Sequence, residues 1–326
     1  MALNLFKKIE APSGLFAVEK INLLYNLFTS ILIFILFDRM GHPGSMLADR
    51  FLIVLMTFGM MLLYRVYPCK MTTLIRIAVQ MALLSYWYPD TFEFNRLFPN
   101  LDYIFAGTEQ HLFGCQPAAL FCLKFPNKWV SECFNLGYFS YYPMIITVGI
   151  AFFIKRFDLF EKWSFIVSMS FFVYYIIFIF VPVAGPQFYY PAIGAEDVAA
   201  GIFPALGSYF DYNCTLFPGS ELGHGFFHHL VVASQTVGER PTAAFPSSHV
   251  AVSTILMILA GKIHRNLVCF LLPFYILLCG ATVYIQAHYL TDAIVGFVTS
   301  FFVFFLSQWA YRKWFVTPIS CEWRER

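Results

Sequence analysis

Charged residues are scarce. Asp, Glu, Lys and Arg make up 12% of the 326 residues, about half the ~25% of an ordinary soluble domain. A water-soluble chain of this length needs more polar surface, so a soluble enzyme is excluded. No block of one charge sign exists: 21 Lys and Arg stand against 19 Asp and Glu, and a net charge of +2 gives nucleic acid no footing. Repeats of about 20–50 residues, heptads and collagen-like periods are absent on inspection. Cysteines are few and scattered, eight in all, and no spacing matches a zinc site. Cys115, Cys122 and Cys214 can pair if they face an oxidising compartment. Cys69, Cys133, Cys269, Cys279 and Cys321 read as apolar fillers or free thiols. What the chain has instead is apolar mass: 59% hydrophobic residues, 40 of them Phe. Disorder is therefore excluded, and the class is an all-α, polytopic helical membrane protein.

Apolar runs place about eight spans. Ile21–Phe37, Cys133–Ile154, Trp163–Val183, Leu267–Ala287 and Thr291–Trp309 are clear, against a need of roughly 20 residues. Phe51–Val66 and Met71–Tyr88 are weaker, with Arg65, Arg76 and Gln80 inside them, and Pro246–Ala260 is short. Glu10, Pro12 and Glu19 interrupt the stretch after Lys7 and Lys8, so the start reads as an uncleaved first span rather than a signal peptide. With the N-terminus inside, only Arg39, Arg50, Arg96, Lys124, Lys128 and Arg240 fall outside, and the other 15 of the 21 Lys and Arg fall inside. The positive-inside rule then predicts both termini in the cytoplasm. Arg65 and Arg76 are expected to snorkel toward that side.

Two long segments face outward. Residues 89–131 carry Leu97, Leu101, Ile104 and Phe105 at helical spacing, which predicts an interfacial helix. Residues 184–245 are rich in Pro and Gly, and a loop of that length is usually functional. Glu221, His224, His228 and His229 cluster there. The spacing of His224 and His228 admits a metal, but Gly223 and Gly225 argue against the helix it needs, and a solvated or substrate-lining loop is the other reading. Tyr189 and Tyr190 either touch a head group or belong to the aromatic belt.

One constellation carries chemistry. Phe245-Pro246-Ser247-Ser248-His249 opens the sixth span, and Tyr284 to Asp292, containing His288, joins the seventh to the eighth. A helical hairpin brings His249 and His288 to one membrane depth on the extracytoplasmic face. Pro and Ser suit a helix start. The N–H groups of Ser247, Ser248 and His249 would point at an anion favoured by the helix dipole. Arg240, upstream on the same side, offers a planar fork to phosphate oxygens, or serves only as an interfacial anchor. Asp292 follows His288 by four residues and can accept one imidazole proton, leaving the other nitrogen as a nucleophile. The set fits two-step phosphoryl transfer: His288 attacks phosphorus, and His249 protonates the departing oxygen and then takes the proton of water or an alcohol. Helix N–H groups and Arg240 stabilise the equatorial oxygens. No metal or other cofactor is needed.

At these residues the chain resembles the type 2 phosphatidic acid phosphatase superfamily of membrane phosphatases and phosphotransferases. Its Pro-Ser-Gly-His signature is similar to Pro246-Ser247-Ser248-His249. Its Ser-Arg, five residues, His, three residues, Asp signature is matched at His288 and Asp292, with Ala281 and Thr282 where Ser and Arg are expected. Its Lys, six residues, Arg-Pro signature lacks a Lys before Arg240-Pro241. Pro182-Val183-Ala184-Gly185-Pro186-Gln187 resembles the Pro-rich variant in the inositol-phosphotransferase branch, with Gln187 in place of Arg. Residues 132–143 also resemble that branch, which includes inositol phosphorylceramide synthases. The resemblance implies a six-helix phosphatase-type core over residues 71–326, preceded by N-terminal transmembrane helices over 1–70. It implies a lipid phosphate or phosphodiester substrate in the bilayer, with His288, His249 and Asp292 catalytic and Arg240, Ser247, Ser248 and Gln187 at the phosphate. A missing Arg costs about 1.5–3 kcal/mol of charge-assisted binding. Either Arg240 compensates or the substrate is a less charged diester. A transporter, or a relative that binds lipid without turnover, is the alternative reading; the spans show few buried charges and no internal symmetry.

Overall fold

Fourteen helices account for the fold, in a computed structural model that describes residues 5–9, 14–214 and 225–315 and is 78% helical, with no strand among the described residues. In chain order they are α1 (Ala17–Ile35), α2 (Pro43–Val66), α3 (Lys70–Asn95), α4 (Asp102–Phe113), α5 (Pro117–Lys124), α6 (Lys128–Phe139) and α7 (Tyr141–Lys155). There follow α8 (Phe160–Phe180), α9 (Pro186–Ile193), α10 (Ala195–Ala200), α11 (Phe226–Gly238), α12 (Ser248–Gly261), α13 (Arg265–Tyr284) and α14 (Leu290–Ala310). The protein is an all-α polytopic helical protein.

Seven of the eight predicted spans are each found as one helix with shifted ends, and Cys133–Ile154 is found as two, α6 and α7. Among the described residues, α1, α2, α8, α13 and α14 are long and apolar enough to cross a bilayer. The pair α6–α7, bent by 44°, makes a sixth if it counts as one span. The remaining two of the predicted eight fall short differently. With 14 residues, α12 is about 21 Å long against a ~30 Å hydrocarbon core. The 26-residue α3 is long but more polar. The bend between α6 and α7 follows from Pro143, which has no N–H for the carbonyl four residues back.

The chain divides into two compact units. The first comprises Met1–Tyr86, Val148–Phe172 and Val303–Arg326. Here Arg76 does not snorkel. It is fully buried, paired with the buried Glu19, donating to the Gly14 carbonyl at 2.9 Å and lying 3.9 Å over the Phe16 ring. A carboxylate within reach lets the guanidinium stay inside, where an unpaired charge would not. Arg50, expected in an outer loop, is buried in α2, because that helix begins at Pro43. Its Nε donates to Thr29 at 3.1 Å and its Nη1 to the Met46 carbonyl at 3.0 Å.

The second unit comprises Trp87–Thr147 and Val173–Phe302. Two glycines let its backbones meet. A Cβ on Gly137 of α6 would lie 2.6 Å from the Leu277 carbonyl carbon of α13, and one on Gly296 of α14 would lie 2.5 Å from the Ser247 carbonyl oxygen. The predicted interfacial helix takes a different form. Pro99 separates α3 from α4, since the residue before a proline is biased away from helix. The buried face of α4 is Asp102, Ala106 and Glu109, spaced as one helix stripe, while Ile104 is exposed.

Candidate active site

The site lies within the second unit and is built around His288, in the short link between α13 and α14. His288 is buried. Its Nδ1 lies 2.7 Å from the Ala244 carbonyl oxygen. A carbonyl only accepts, so Nδ1 carries the proton and Nε2 keeps its lone pair. That Nε2 faces His249 Nδ1 at 3.5 Å, with ring centroids 5.6 Å apart. Burial lowers the His288 pKa to about 4, partly opposed by the Ala244 bond. The imidazole is therefore neutral at neutral pH, the form a nucleophile needs.

His249 enters on the first turn of α12. Ser247 is the N-cap, and its hydroxyl accepts from the Val250 N–H at 3.4 Å. The Ser247 N–H, expected to face an anion, is instead spent on the Asp292 carbonyl at 3.1 Å. The Ser248 and His249 N–H groups have no acceptor among the described residues, so the positive end of α12 keeps two donors beside the histidines. Two aromatic rings flanking the α6–α7 bend hold His249: Tyr138 stacks at 4.7 Å and Tyr141 lies at 4.5 Å.

Asp292 is fully buried and sits 3.9 Å from His288 Nδ1, beyond hydrogen-bond reach. Its Oδ2 accepts from the Tyr289 N–H at 2.9 Å. The expected Asp292–His288 hydrogen bond is thus replaced by the Ala244 carbonyl. The reason is local: at the start of α14 the carboxylate turns to the nearest unpaired backbone donor, where the dipole favours it.

The turn before α9 closes on this link. Gly185, at φ 92° and ψ 164°, lets the chain pass where a Cβ would be 2.8 Å from the Ala287 carbonyl oxygen and 3.0 Å from the Ala244 Cβ. The Gln187 N–H donates to the Gln286 carbonyl at 2.8 Å. The Gln187 side chain donates to Glu239 at 3.1 Å and accepts from Gln235 at 3.1 Å. Loss of surrounding water pushes the Glu239 pKa up to about 7, partly offset by Gln187 and Tyr88. Arg240 donates to the Glu239 carbonyl at 2.9 Å, and among the described residues no hydrogen bond joins it to the histidines. A cavity beside the site is lined by Asn135, Gln187, His228, Gln235 and Gln286. Of the second polar cluster, Glu221 and His224 lie outside the described residues. His228 lies in the first turn of α11, with Gly225 as the N-cap, and the Glu132 carboxylate accepts from the Phe227 and His228 N–H groups at 2.9 and 3.0 Å. His229 is exposed. Cys115, Cys122 and Cys214 are free thiols.

Several residues here carry no signal in the sequence read alone. Ala244 acts through its backbone. Asp102 of α4 is buried and accepts four hydrogen bonds: from the Ala184 N–H at 2.6 Å, the Gly185 N–H at 2.8 Å, Asn100 at 2.6 Å and the Tyr289 hydroxyl at 3.0 Å. Burial raises its pKa and these donors oppose the rise. Glu109 accepts from the Thr291 N–H at 2.7 Å. Two acids seven apart on one predicted helix were the available clue.

Comparison with known proteins gives one family. The model for the PAP2 superfamily matches residues 105–306, more than half of the chain. No curated protein and no solved structure matches.

Proposed function

This chain belongs to the PAP2 superfamily, and from that premise we propose that it cleaves a lipid phosphoester through a phosphohistidine on His288. The observation that carries the reading is the 3.5 Å approach of His288 Nε2 to His249 Nδ1, with His288 Nδ1 engaged by Ala244. A bond forms from Nε2 to phosphorus as the bond from phosphorus to the leaving oxygen breaks, and His249, which takes up a proton as the anionic substrate binds, gives that proton to the leaving oxygen and is left as the neutral imidazole. In the second step, water or a lipid alcohol loses its proton to His249, attacks phosphorus and frees His288. The Ser248 and His249 N–H groups stabilise charge on the equatorial oxygens. A reacting phosphorus sits about 3–3.5 Å from its nucleophile, so His249 swings away from His288 when substrate enters. Asp292, too far to bond His288, contributes through the field at Nδ1 and by holding the Tyr289 N–H. Neither step uses a metal.

The finer reading is transfer of a phospho-head group from a phosphodiester lipid to a lipid alcohol, as in the inositol-phosphotransferase branch. Ala281 and Thr282, where Ser and Arg are expected, are fully buried, and Thr282 donates to the Cys279 carbonyl at 2.9 Å. No cation stands there for the extra charge of a monoester, and Gln187 is neutral. The active face is extracytoplasmic, with both termini in the cytoplasm and lipid tails entering laterally. The test is incubation of purified protein with labelled lipid monoesters and head-group diesters, with and without ceramide or diacylglycerol. Transfer from a diester, lost in His288→Ala and His249→Ala with lipid binding kept, is expected. Phosphate release from phosphatidic acid alone contradicts the transferase reading.

A further inference from the structure

We propose that Asp102 is a positioning residue for the nucleophile, reaching His288 by two routes that meet on its two sides. The proposal rests on His288 being the reacting group, as above, and adds what sets its place.

The first route is backbone. Asp102 takes the N–H groups of Ala184 and Gly185, which fixes the turn before α9. The Leu101 N–H, next in the chain to Asp102, also donates to the Pro182 carbonyl of that turn at 2.8 Å. Within the turn, the Val183 carbonyl accepts from the Ala244 N–H at 3.0 Å. The carbonyl of Ala244 in turn receives His288 Nδ1. The second route is a side chain. The Tyr289 hydroxyl donates to Asp102 Oδ1, and Tyr289 is the residue after His288. A carboxylate has two oxygens and about four lone-pair sites. Here both oxygens are used, two donors each. That is the geometry of a clamp, and an amide cannot reproduce it: one of its two ends would present N–H to a donor.

The same helix holds the next residues too. Glu109, two turns on and on the same buried face, takes the Thr291 N–H. Because α4 grips the link at Tyr289 and Thr291, a shift of α4 is transmitted to His288 without any contact to substrate. Misplacement of a reacting group by about 1 Å removes about a hundredfold in rate.

The experiment uses the full chain in lipid nanodiscs with 15N-labelled histidine, comparing Asp102→Asn and Tyr289→Phe with the unaltered protein. The expected result is a His288 signal that is Nδ1-protonated in the unaltered chain and becomes mixed or shifted in both variants. With the lipid substrate, kcat falls about tenfold to a hundredfold in Asp102→Asn and less in Tyr289→Phe, with KM within about twofold. Tyr289→Phe in the Asp102→Asn background adds little, because the Tyr289 hydroxyl acts through the Asp102 carboxylate that this background has already lost. An unchanged His288 signal in both variants overturns the proposal, and so does an altered signal with unchanged kcat. If Asp102→Asn does not fold, Tyr289→Phe alone decides by the same readouts. Should the unaltered protein turn over no lipid phosphoester, the proposed function fails, while the histidine spectrum still decides whether Asp102 places His288.

Discussion

Replacing Gly185 by Ala tests how tightly the site is closed, and a second glycine supplies the control. Gly185 has φ 92° and ψ 164°, and Gly194, at the other end of α9, has φ 92° and ψ 152°. This region of backbone space is essentially restricted to glycine, and a side chain there costs about 1–3 kcal/mol. The two positions differ in surroundings. A Cβ at Gly194 meets nothing within 4 Å, whereas one at Gly185 lies 2.8 Å from the Ala287 carbonyl oxygen and 3.0 Å from the Ala244 Cβ. Both neighbours are fixed backbone or its first carbon, so relief requires the chain to move, at an overpacking cost of about 1–3 kcal/mol more. Gly194→Ala is expected to lose about 1–3 kcal/mol and Gly185→Ala about 2–6 kcal/mol. Function should separate them further, because Ala287 and Ala244 flank and orient His288. Thermal unfolding in detergent and single-turnover rates on a labelled lipid are the assays. Gly194→Ala keeps its rate and Gly185→Ala loses about a hundredfold. Equal midpoints and equal rates for the two variants would mean that the turn is not seated against the catalytic link.

Gly296→Ala should push the Ser247 carbonyl, 2.5 Å from the new Cβ, and tilt the start of α12, reducing turnover about a hundredfold while membrane insertion, followed by fractionation, is kept. The pKa of His288 is lowered to about 4 from its ordinary 6.5. Its neutral form is therefore favoured by folding: the stability is full above pH 6.5 and is lost as pH falls toward 4, by about 3 kcal/mol. Unfolding midpoints across that window should drop in the unaltered chain and drop less steeply in His288→Gln. Glu239, raised to about 7 and bonded to Gln187, becomes anionic above that pH. Orthovanadate affinity is expected to fall above pH 7, and the fall should disappear in Glu239→Gln.

Much of this was legible in the residues. Apolar runs located the helices that carry the two histidines and Asp292, though not α4, α9 or α11, and the Pro-Ser start of α12 together with the His288–Asp292 spacing picked out the two imidazoles, which are in contact. The errors share a cause. Sequence spacing shows which side chains can share a face but not which backbone group stands nearest. Asp292 was four residues from His288 and looked like its partner, yet the partner is the carbonyl of Ala244, 44 residues away. Arg76 looked like a snorkelling cation because Glu19 lies 57 residues upstream. At the start of α4, the apolar spacing follows Leu101, Ile104 and Phe105, while the packing buries Asp102 and Glu109. Long-range polar pairs leave no periodic trace.

The proposed mechanism stands on a covalent phosphorus–nitrogen bond at His288. Protein incubated briefly with lipid labelled at phosphorus, quenched in alkali and digested should yield one labelled peptide containing His288. The label should be lost in mild acid, as a phosphoramidate is, and absent in His288→Ala. Label on another residue, or steady turnover with no label on the protein at any time point, would contradict it.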